Sequence, residues 1–182
     1  MLASTNGTIL PDIFSADYQG KAEFCVLLTN KNGCGARKKA EKKGIPSVFL
    51  SAKGKTREEW DAEAIHILQE YKADLVILVG FMRILSPIFV SVFPECILNI
   101  HPSLLPKFAG GMDTDVHAEV LRSKETETGA TVHIVTEELD AGPIILQKST
   151  PVFPDDTPET LKNRVQSLEK EILPEAIRRF LM

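Results

Sequence analysis

The chain has 182 residues, of which 43% are hydrophobic and 25% charged, and its net charge is −4. This composition is typical of a soluble globular protein, and the length predicts one domain over residues 1–182. The acidic balance argues against broad electrostatic binding of nucleic acid. No apolar stretch approaches 18 residues, so no membrane span is expected. Three cysteines without metal-ligand spacing favour a reducing, cytoplasmic location.

Short apolar runs alternate with helix-patterned stretches through the first hundred residues. This pattern predicts strands over residues 24–28, 46–50, 74–79 and 96–101, with helices between them. The sequence from Thr56 to Glu59 resembles a capping box, and Ser86-Pro87 places proline at a first helical position. The alternation predicts an α/β fold with a mostly parallel sheet covered by helices on both faces.

The second half of the chain has a different pattern. Strands are predicted over 131–135 and 144–147, joined by an acidic connection, which indicates an antiparallel addition to the sheet. A final helix is predicted from Thr157 to the C-terminus, and its apolar residues at helical spacing should dock on the sheet. The glycine-rich segment 107–115 is expected to be a mobile loop.

The most informative motif is the end of the predicted strand 96–101. Asn99 and His101 are two residues apart and therefore project from the same face of the strand, which Pro102 ends. An amide donor beside an imidazole suits a reaction that builds negative charge on a carbonyl oxygen. From these residues alone, a hydrogen-bonded strand end without catalytic function remains an equal alternative.

Four other segments have features of a binding or catalytic site. Residues 80–85 follow a buried strand directly and could supply apolar walls and backbone groups to a flat heterocycle. Asp140 lies in the acidic connection, where an ionised carboxylate could reach His101 and raise its pKa. The turn around Gly7, which we call the glycine turn, precedes residue 10 and could aim backbone N–H groups at a phosphate. Arg57, at a helix start, hints at an anionic partner.

Three motifs together resemble a known family. They are Gly80-Phe81-Met82-Arg83-Ile84-Leu85, Leu98-Asn99-Ile100-His101-Pro102-Ser103-Leu104-Leu105-Pro106 and Glu138-Leu139-Asp140-Ala141-Gly142-Pro143. The sequence is similar to the phosphoribosylglycinamide formyltransferases of purine synthesis, from Ser4 to the last helix. The resemblance implies a single Rossmann-like formyltransferase domain that transfers a formyl group from 10-formyltetrahydrofolate to the amine of glycinamide ribonucleotide, without a metal. The protein is expected to be a monomer or a homodimer.

The resemblance also implies roles for individual residues. Asn99 would donate to the oxyanion, His101 would stabilise it and protonate the leaving folate nitrogen, and Asp140 would raise the pKa of His101 and order a water. The remaining positions would bind the two substrates. The folate side comprises Arg57, Met82, Arg83, Ile84, Leu85 and Asn99, and the ribonucleotide side comprises Gly7, Thr8, Ile9, Gln166 and Glu169.

The sequence departs from the family pattern at three places outside the catalytic trio. Only Met1 to Ala3 precede the glycine turn, so the first strand is expected to be truncated. Ile9 stands where the family usually has asparagine, which leaves a backbone N–H but no polar side chain. The loop over 107–115 is longer than the common form.

Alternative functions are other formyl-handling enzymes and a non-catalytic relative. A tRNA formyltransferase would need a second domain and a basic surface, whereas one acidic domain is expected here. A formyltetrahydrofolate deformylase usually carries an additional N-terminal domain. A folate- or nucleotide-binding protein without catalysis is the alternative from another class, and the complete trio argues against it.

Overall fold

The computed structural model describes residues 1–111 and 114–182, and its seven strands form one mixed sheet. Across the sheet the order is β3-β2-β1-β4-β5-β6-β7. Strands β1 to β5 run parallel, and β6 and β7 are antiparallel to their neighbours. In chain order they are β1 (Leu2–Ala3), β2 (Leu27–Thr29), β3 (Ser47–Phe49), β4 (Val76–Leu78), β5 (Ile97–His101), β6 (Glu127–Ile134) and β7 (Ile144–Pro151). The expected fold class is confirmed, including the short first strand and the antiparallel addition.

Six helices connect or follow these strands within the described residues: α1 (Leu10–Ser15), α2 (Gly35–Lys42), α3 (Arg57–Glu70), α4 (Pro87–Val92), α5 (Thr114–Arg122) and α6 (Pro158–Phe180). Thr56 and Thr157 close capping boxes at the starts of α3 and α6, and Ser86 caps α4 ahead of Pro87. None of these helices combines the length of a bilayer crossing with the apolar character that it would require.

Each face of the sheet buries its own hydrophobic core. Because side chains alternate along a strand, Ala3 joins the core under α1, α2 and α6, whereas its neighbour Leu2 joins the core under α3 and α4. Leu10 and Val165 pack in the first core, and the fully buried Trp60 packs in the second. The predicted two-sided covering of the sheet follows from this arrangement.

The strand order places a crevice at the middle of the sheet. The chain leaves β1 toward β2 and β3 on one side and later returns to form β4 and β5 on the other side. Connections therefore diverge at the carboxyl ends of β1 and β4, the position at which open α/β sheets bind ligands. The glycine turn after β1 and the segment after β4 both lie at this edge.

The apolar runs of the sequence extend beyond the hydrogen-bonded strands. The first predicted run, 24–28, overlaps β2 only at Leu27 and Leu28, and the run 74–79 exceeds β4 at both ends. In contrast, β6 and β7 are longer than predicted because their mutual ladder runs from Glu127 opposite Pro151 to His133 opposite Ile144. Apolar character marks burial, whereas the length of a ladder depends on the neighbouring strand.

Replacing Gly129 by alanine should destabilise the fold. A Cβ at Gly129 would collide with the Lys148 carbonyl oxygen of β7, and backbone of a paired strand cannot move aside cheaply. We expect a loss of about 2 kcal/mol or more in the free energy of unfolding, measured by urea denaturation. Glu127→Ala, an exposed change in the same strand, should stay within about 0.5 kcal/mol of the parent chain. Equal midpoints for the two variants would contradict this packing.

Candidate active site

The Asn99–His101 motif lies at the end of β5, as predicted. Asn99 and His101 follow Ile97 at two-residue steps, and Ile97 is buried in the core under α3 and α4, so all three side chains share that face. Pro102 cannot donate to a ladder, which ends the strand at His101. The side chain of His101 is almost completely buried, whereas Asn99 is half-buried.

A cleft opens beside these two side chains at the carboxyl edge of the sheet. The cleft has a volume of about 830 Å³, which includes space that is open to solvent. One wall is the segment 81–85 that follows β4, and the opposite wall is the connection between β6 and β7 around Asp140. The structure thus brings Asn99, His101 and Asp140 together around one cavity.

His101 and Asp140 form a buried pair. The Nδ1 atom of His101 lies 3.3 Å from Oδ2 of Asp140, and its Nε2 atom lies 2.9 Å from the carbonyl oxygen of Phe108. Because both ring nitrogens face acceptors, the imidazolium satisfies both contacts, as the neutral ring does not. The backbone N–H of Gly110 also donates to Oδ2 of Asp140, at 2.8 Å.

The surroundings of this pair act on both pKa values. Burial lowers the pKa of His101, and the opposing effects of the Asp140 carboxylate and the Phe108 carbonyl do not restore it. Asp140 therefore acts to raise the pKa of His101, as predicted, but the net pKa of His101 is below its usual value. Burial acts to raise the pKa of Asp140, but the adjacent His133 ring, the Gly110 N–H and the nearby His101 ring hold it below its usual value. Asp140 is thus an anion at neutral pH, and His101 readily gives up a proton.

His133, which the sequence analysis did not identify, also belongs to this cluster. It lies opposite Asn99 in the β5–β6 ladder, and its Nε2 atom is 3.2 Å from the Asn99 amide nitrogen and 3.4 Å from Oδ1 of Asp140. Its Nδ1 atom must donate to the Ile134 carbonyl, 2.9 Å away. Since Nδ1 carries a hydrogen, Nε2 can accept one N–H of the Asn99 amide, which leaves the second N–H of that amide for a ligand.

The segment that follows β5 folds back over the site. Phe108, with a positive φ of 59°, turns its carbonyl toward His101, and Gly110 turns its N–H toward Asp140. These main-chain contacts have no signature in the sequence. The predicted mobile loop over residues 107–115 includes residues 112 and 113, which lie outside the described residues.

A buried threonine anchors the start of this segment. The Thr131 hydroxyl donates to the Ser103 carbonyl at 2.6 Å and accepts from the Leu105 N–H at 3.1 Å. Gln147 of β7 donates to the same hydroxyl at 2.8 Å and to the Leu105 carbonyl at 3.0 Å. The antiparallel strands therefore fix the chain immediately after His101.

The predicted folate-side residues divide into two groups. Met82, Arg83, Ile84 and Leu85 all line the cleft, and the Arg83 guanidinium stacks over Trp60 at 5.0 Å from the ring centroid. Arg57 is not part of the cleft wall; its guanidinium pairs with Glu58 at 2.9 Å and is about half exposed. This pairing offsets its unfavourable place at a helix start, so the charge of Arg57 does not by itself require an anionic partner.

The glycine turn lies at the same edge of the sheet, between β1 and α1. Gly7 has a φ of 58°, and a Cβ there would collide with Leu10, which explains why glycine is needed. Thr8 is exposed, whereas the Ile9 side chain is buried in the core and contributes only backbone to the surface. The Lys39 ammonium of α2 lies 2.5 Å from the Asn6 carbonyl and adds a positive charge beside this turn.

Gln166 and Glu169 lie on α6, outside the cleft wall. Both are half-buried, and the adjacent Val165 packs in the same core as Ile9 and Leu10. The helix therefore packs on the same core as the residues of the glycine turn, and neither Gln166 nor Glu169 lines the cleft around His101.

The fold and this cluster define a class of protein. Residues 1–177 match the family described as formyl transferase. Because this match spans nearly the whole chain, the chain belongs to the formyl transferase family.

Individual relatives narrow the comparison. The chain is 42% identical over 177 residues to phosphoribosylglycinamide formyltransferase of Escherichia coli (strain K12), covering 96% of this chain and 82% of that protein. It is 43% identical over 157 residues to the human trifunctional purine biosynthetic protein adenosine-3, of whose length it spans 15%. Among solved structures, glycinamide ribonucleotide transformylase 1 from Symbiobacterium toebii superimposes with a TM-score of 0.93 at 36% identity, covering 99% of this chain and 85% of that one.

Proposed function

We propose that the chain transfers the formyl group of 10-formyltetrahydrofolate to the amine of glycinamide ribonucleotide, a step of purine synthesis. The observation with the greatest weight is the grouping of Asn99, His101 and Asp140 at the crevice of the sheet. The 42% identity to the Escherichia coli enzyme, over an alignment that covers 96% of the chain, supports the same activity. With three free cysteines, the protein suits the reducing cytoplasm, as a monomer or a homodimer.

The two substrates would meet in the cleft from opposite ends. The apolar wall formed by residues 82–85 suits the flat ring system of the folate. Backbone N–H groups of Gly7, Thr8 and Ile9 would hold the ribonucleotide phosphate, with Lys39 adding charge. Gln166 and Glu169 on the adjacent α6 would contact the same substrate, and Arg57 would bind the outer part of the folate.

Asn99 would stabilise the negative charge that develops on the formyl oxygen. The substrate amine attacks the formyl carbon, and the carbonyl oxygen becomes an oxyanion in a tetrahedral intermediate. One amide N–H of Asn99 is directed to His133, which leaves the other for this oxygen. A donor fixed in place before the reaction stabilises the transition state without reorganisation.

His101 would carry the proton that the reaction must move. Because its pKa is lowered, the resting ring is neutral at physiological pH and can accept the proton released by the attacking amine, directly or through a water ordered by Asp140. The resulting imidazolium satisfies the acceptors on both ring nitrogens and is neutralised by Asp140. The Nε2–H then breaks its bond to the Phe108 carbonyl and delivers the proton to the leaving folate nitrogen, which regenerates the resting site.

Asp140→Asn tests this proton path. The change keeps the shape of the side chain but removes the charge that raises the pKa of His101, so this pKa falls further. Since neutral His101 is the reactive form, the acid limb of the kcat/KM profile should move to lower pH by about one unit. The imidazolium formed during turnover also loses its counter-charge, and kcat should fall about tenfold or more.

The measurement is kcat/KM for the folate substrate from about pH 5 to about pH 9. Glu138→Gln removes one negative charge from the same connection at an exposed position and serves as the matched control, with an acid limb that stays in place. If the acid limb also stays in place for Asp140→Asn, the charge of Asp140 does not affect the pKa that this limb reports.

The overall function is tested with purified protein and both substrates. We expect release of tetrahydrofolate only when glycinamide ribonucleotide is present, with water as the control acceptor. Equal release without the ribonucleotide would instead indicate a deformylase. Folate binding without any turnover would indicate a non-catalytic relative.

A further inference from the structure

The serine that follows β1 joins three strand ends. Ser4 is 7% exposed, and its backbone N–H donates to the Gly80 carbonyl after β4 at 3.0 Å. Its hydroxyl donates to Oδ1 of Asn30, which follows β2, at 2.6 Å. The same hydroxyl oxygen accepts the backbone N–H of Met82 at 2.9 Å.

This geometry gives the hydroxyl a fixed direction. A serine hydroxyl has one hydrogen, and Asn30 takes it, so a lone pair of the oxygen is left to face Met82. Asn30 thereby orients the Ser4 hydroxyl, and the hydroxyl in turn holds Met82. Alanine at position 4 would leave the Met82 N–H without this acceptor in a partly buried place.

The segment held in this way has no regular secondary structure. Residues 79–86 lie between β4 and α4 and belong to neither, so individual contacts decide their position. Gly80 has a φ of 55°, and a Cβ there would collide with the Thr5 hydroxyl, which shows how closely this segment approaches the residues after β1. Met82 begins the part of the segment that lines the cleft.

We propose that Ser4, oriented by Asn30, is a positioning residue that holds the folate-binding wall 82–85 in place relative to β1. The inference rests on the proposed function, since it takes that wall to bind the folate. Ser4 also directly precedes the turn assigned to the ribonucleotide. One hydroxyl therefore sets the spacing between the two substrate regions without contacting a reacting atom.

Ser4→Ala tests the proposal by a split between binding and turnover. Without its acceptor, the partly buried Met82 N–H no longer holds the wall 82–85 in place, and we expect tetrahydrofolate to bind about tenfold more weakly, as measured by calorimetric titration under anaerobic conditions. The KM for 10-formyltetrahydrofolate should rise by about the same factor, while kcat at saturation stays within about twofold, because the catalytic trio is not touched.

Three further variants separate positioning from stability. Asn30→Ala removes the group that orients the hydroxyl and should weaken tetrahydrofolate binding about threefold, whereas Asn30→Asp keeps an acceptor and should bind as the parent chain does. Tyr18→Phe deletes another buried hydroxyl, which donates to the Ile13 carbonyl at 3.0 Å on the opposite face of the sheet. It should lower the melting temperature and leave folate binding unchanged.

The outcomes distinguish this inference from the proposed function. Unchanged folate affinity in Ser4→Ala and Asn30→Ala, with formyl transfer intact, overturns the positioning role alone. Weakened binding in a chain that never formylates the ribonucleotide supports the positioning role and overturns the proposed function. A parent chain that binds no tetrahydrofolate overturns both.

Discussion

Replacing His101 by alanine lowers kcat by about a hundredfold or more, the contribution usual for a positioned acid-base group. The expectation follows from the burial of the ring and its contacts with Asp140 and the Phe108 carbonyl, which prepare it to gain and lose a proton. Substrate binding should change much less, since His101 is assigned to the proton transfer. Steady-state kinetics with both substrates measure the two effects separately.

The control for this variant is another histidine of the same chain. His66 is largely exposed on α3 and contacts Glu70 at 3.4 Å, so His66→Ala should leave kcat unchanged. Circular dichroism of His101→Ala must show a folded protein before its rate is interpreted. A folded variant with the rate of the parent chain would exclude His101 from the mechanism.

The second large effect is expected at Asn99. Removing one donor to a developing oxyanion costs about a hundredfold to a thousandfold in kcat. Asn99→Ala should show this loss with nearly unchanged KM values, because the bond to the oxygen reaches full strength only in the transition state. The variant should also release His133 from the amide that it contacts at 3.2 Å.

A remote asparagine provides the comparison. Asn163 is exposed on α6, and Asn163→Ala should keep the kinetic constants of the parent chain. An increase in KM without a fall in kcat for Asn99→Ala would assign Asn99 to ground-state binding, and the oxyanion would then need another donor.

Local sequence rules predicted one half of the catalytic cluster. The two-residue spacing of Asn99 and His101 and the proline that follows fixed both their common face and the end of β5. The capping residues Thr56, Ser86 and Thr157 likewise predicted the starts of three helices, because a cap depends on residues that are close in sequence.

The other half depends on contacts between distant parts of the chain. His133 reaches Asn99 through the register of an antiparallel pair, which periodicity within one strand does not specify. Phe108 and Gly110 act through backbone atoms, so their residue types carry little information about their contacts. The acidic connection indicated that Asp140 could reach His101, but only the family resemblance gave Asp140 a place in the proposed trio.

The sequence also did not allow us to predict whether the pKa of His101 is raised or lowered in the folded chain. An aspartate nearby predicts an increase, and the Asp140 carboxylate does act in that direction. The amount of water removed from the ring depends on how completely the segment after β5 covers it. This burial is a property of the folded chain, and because of it the net pKa of His101 is lowered although Asp140 acts to raise it.

The backbone at Asp140 restricts which side chains that position can hold. Its φ is 54°, in the left-handed region that aspartate and asparagine tolerate better than most other residues. Two residues later, a Cβ at Gly142 would collide with the Ile134 carbonyl, so the connection cannot relax easily in that direction. The backbone therefore admits aspartate and asparagine at position 140 more readily than most other residues. Of these two, only aspartate has the negative charge that the proposed proton path requires, so a change to asparagine would keep the fold and lose the function.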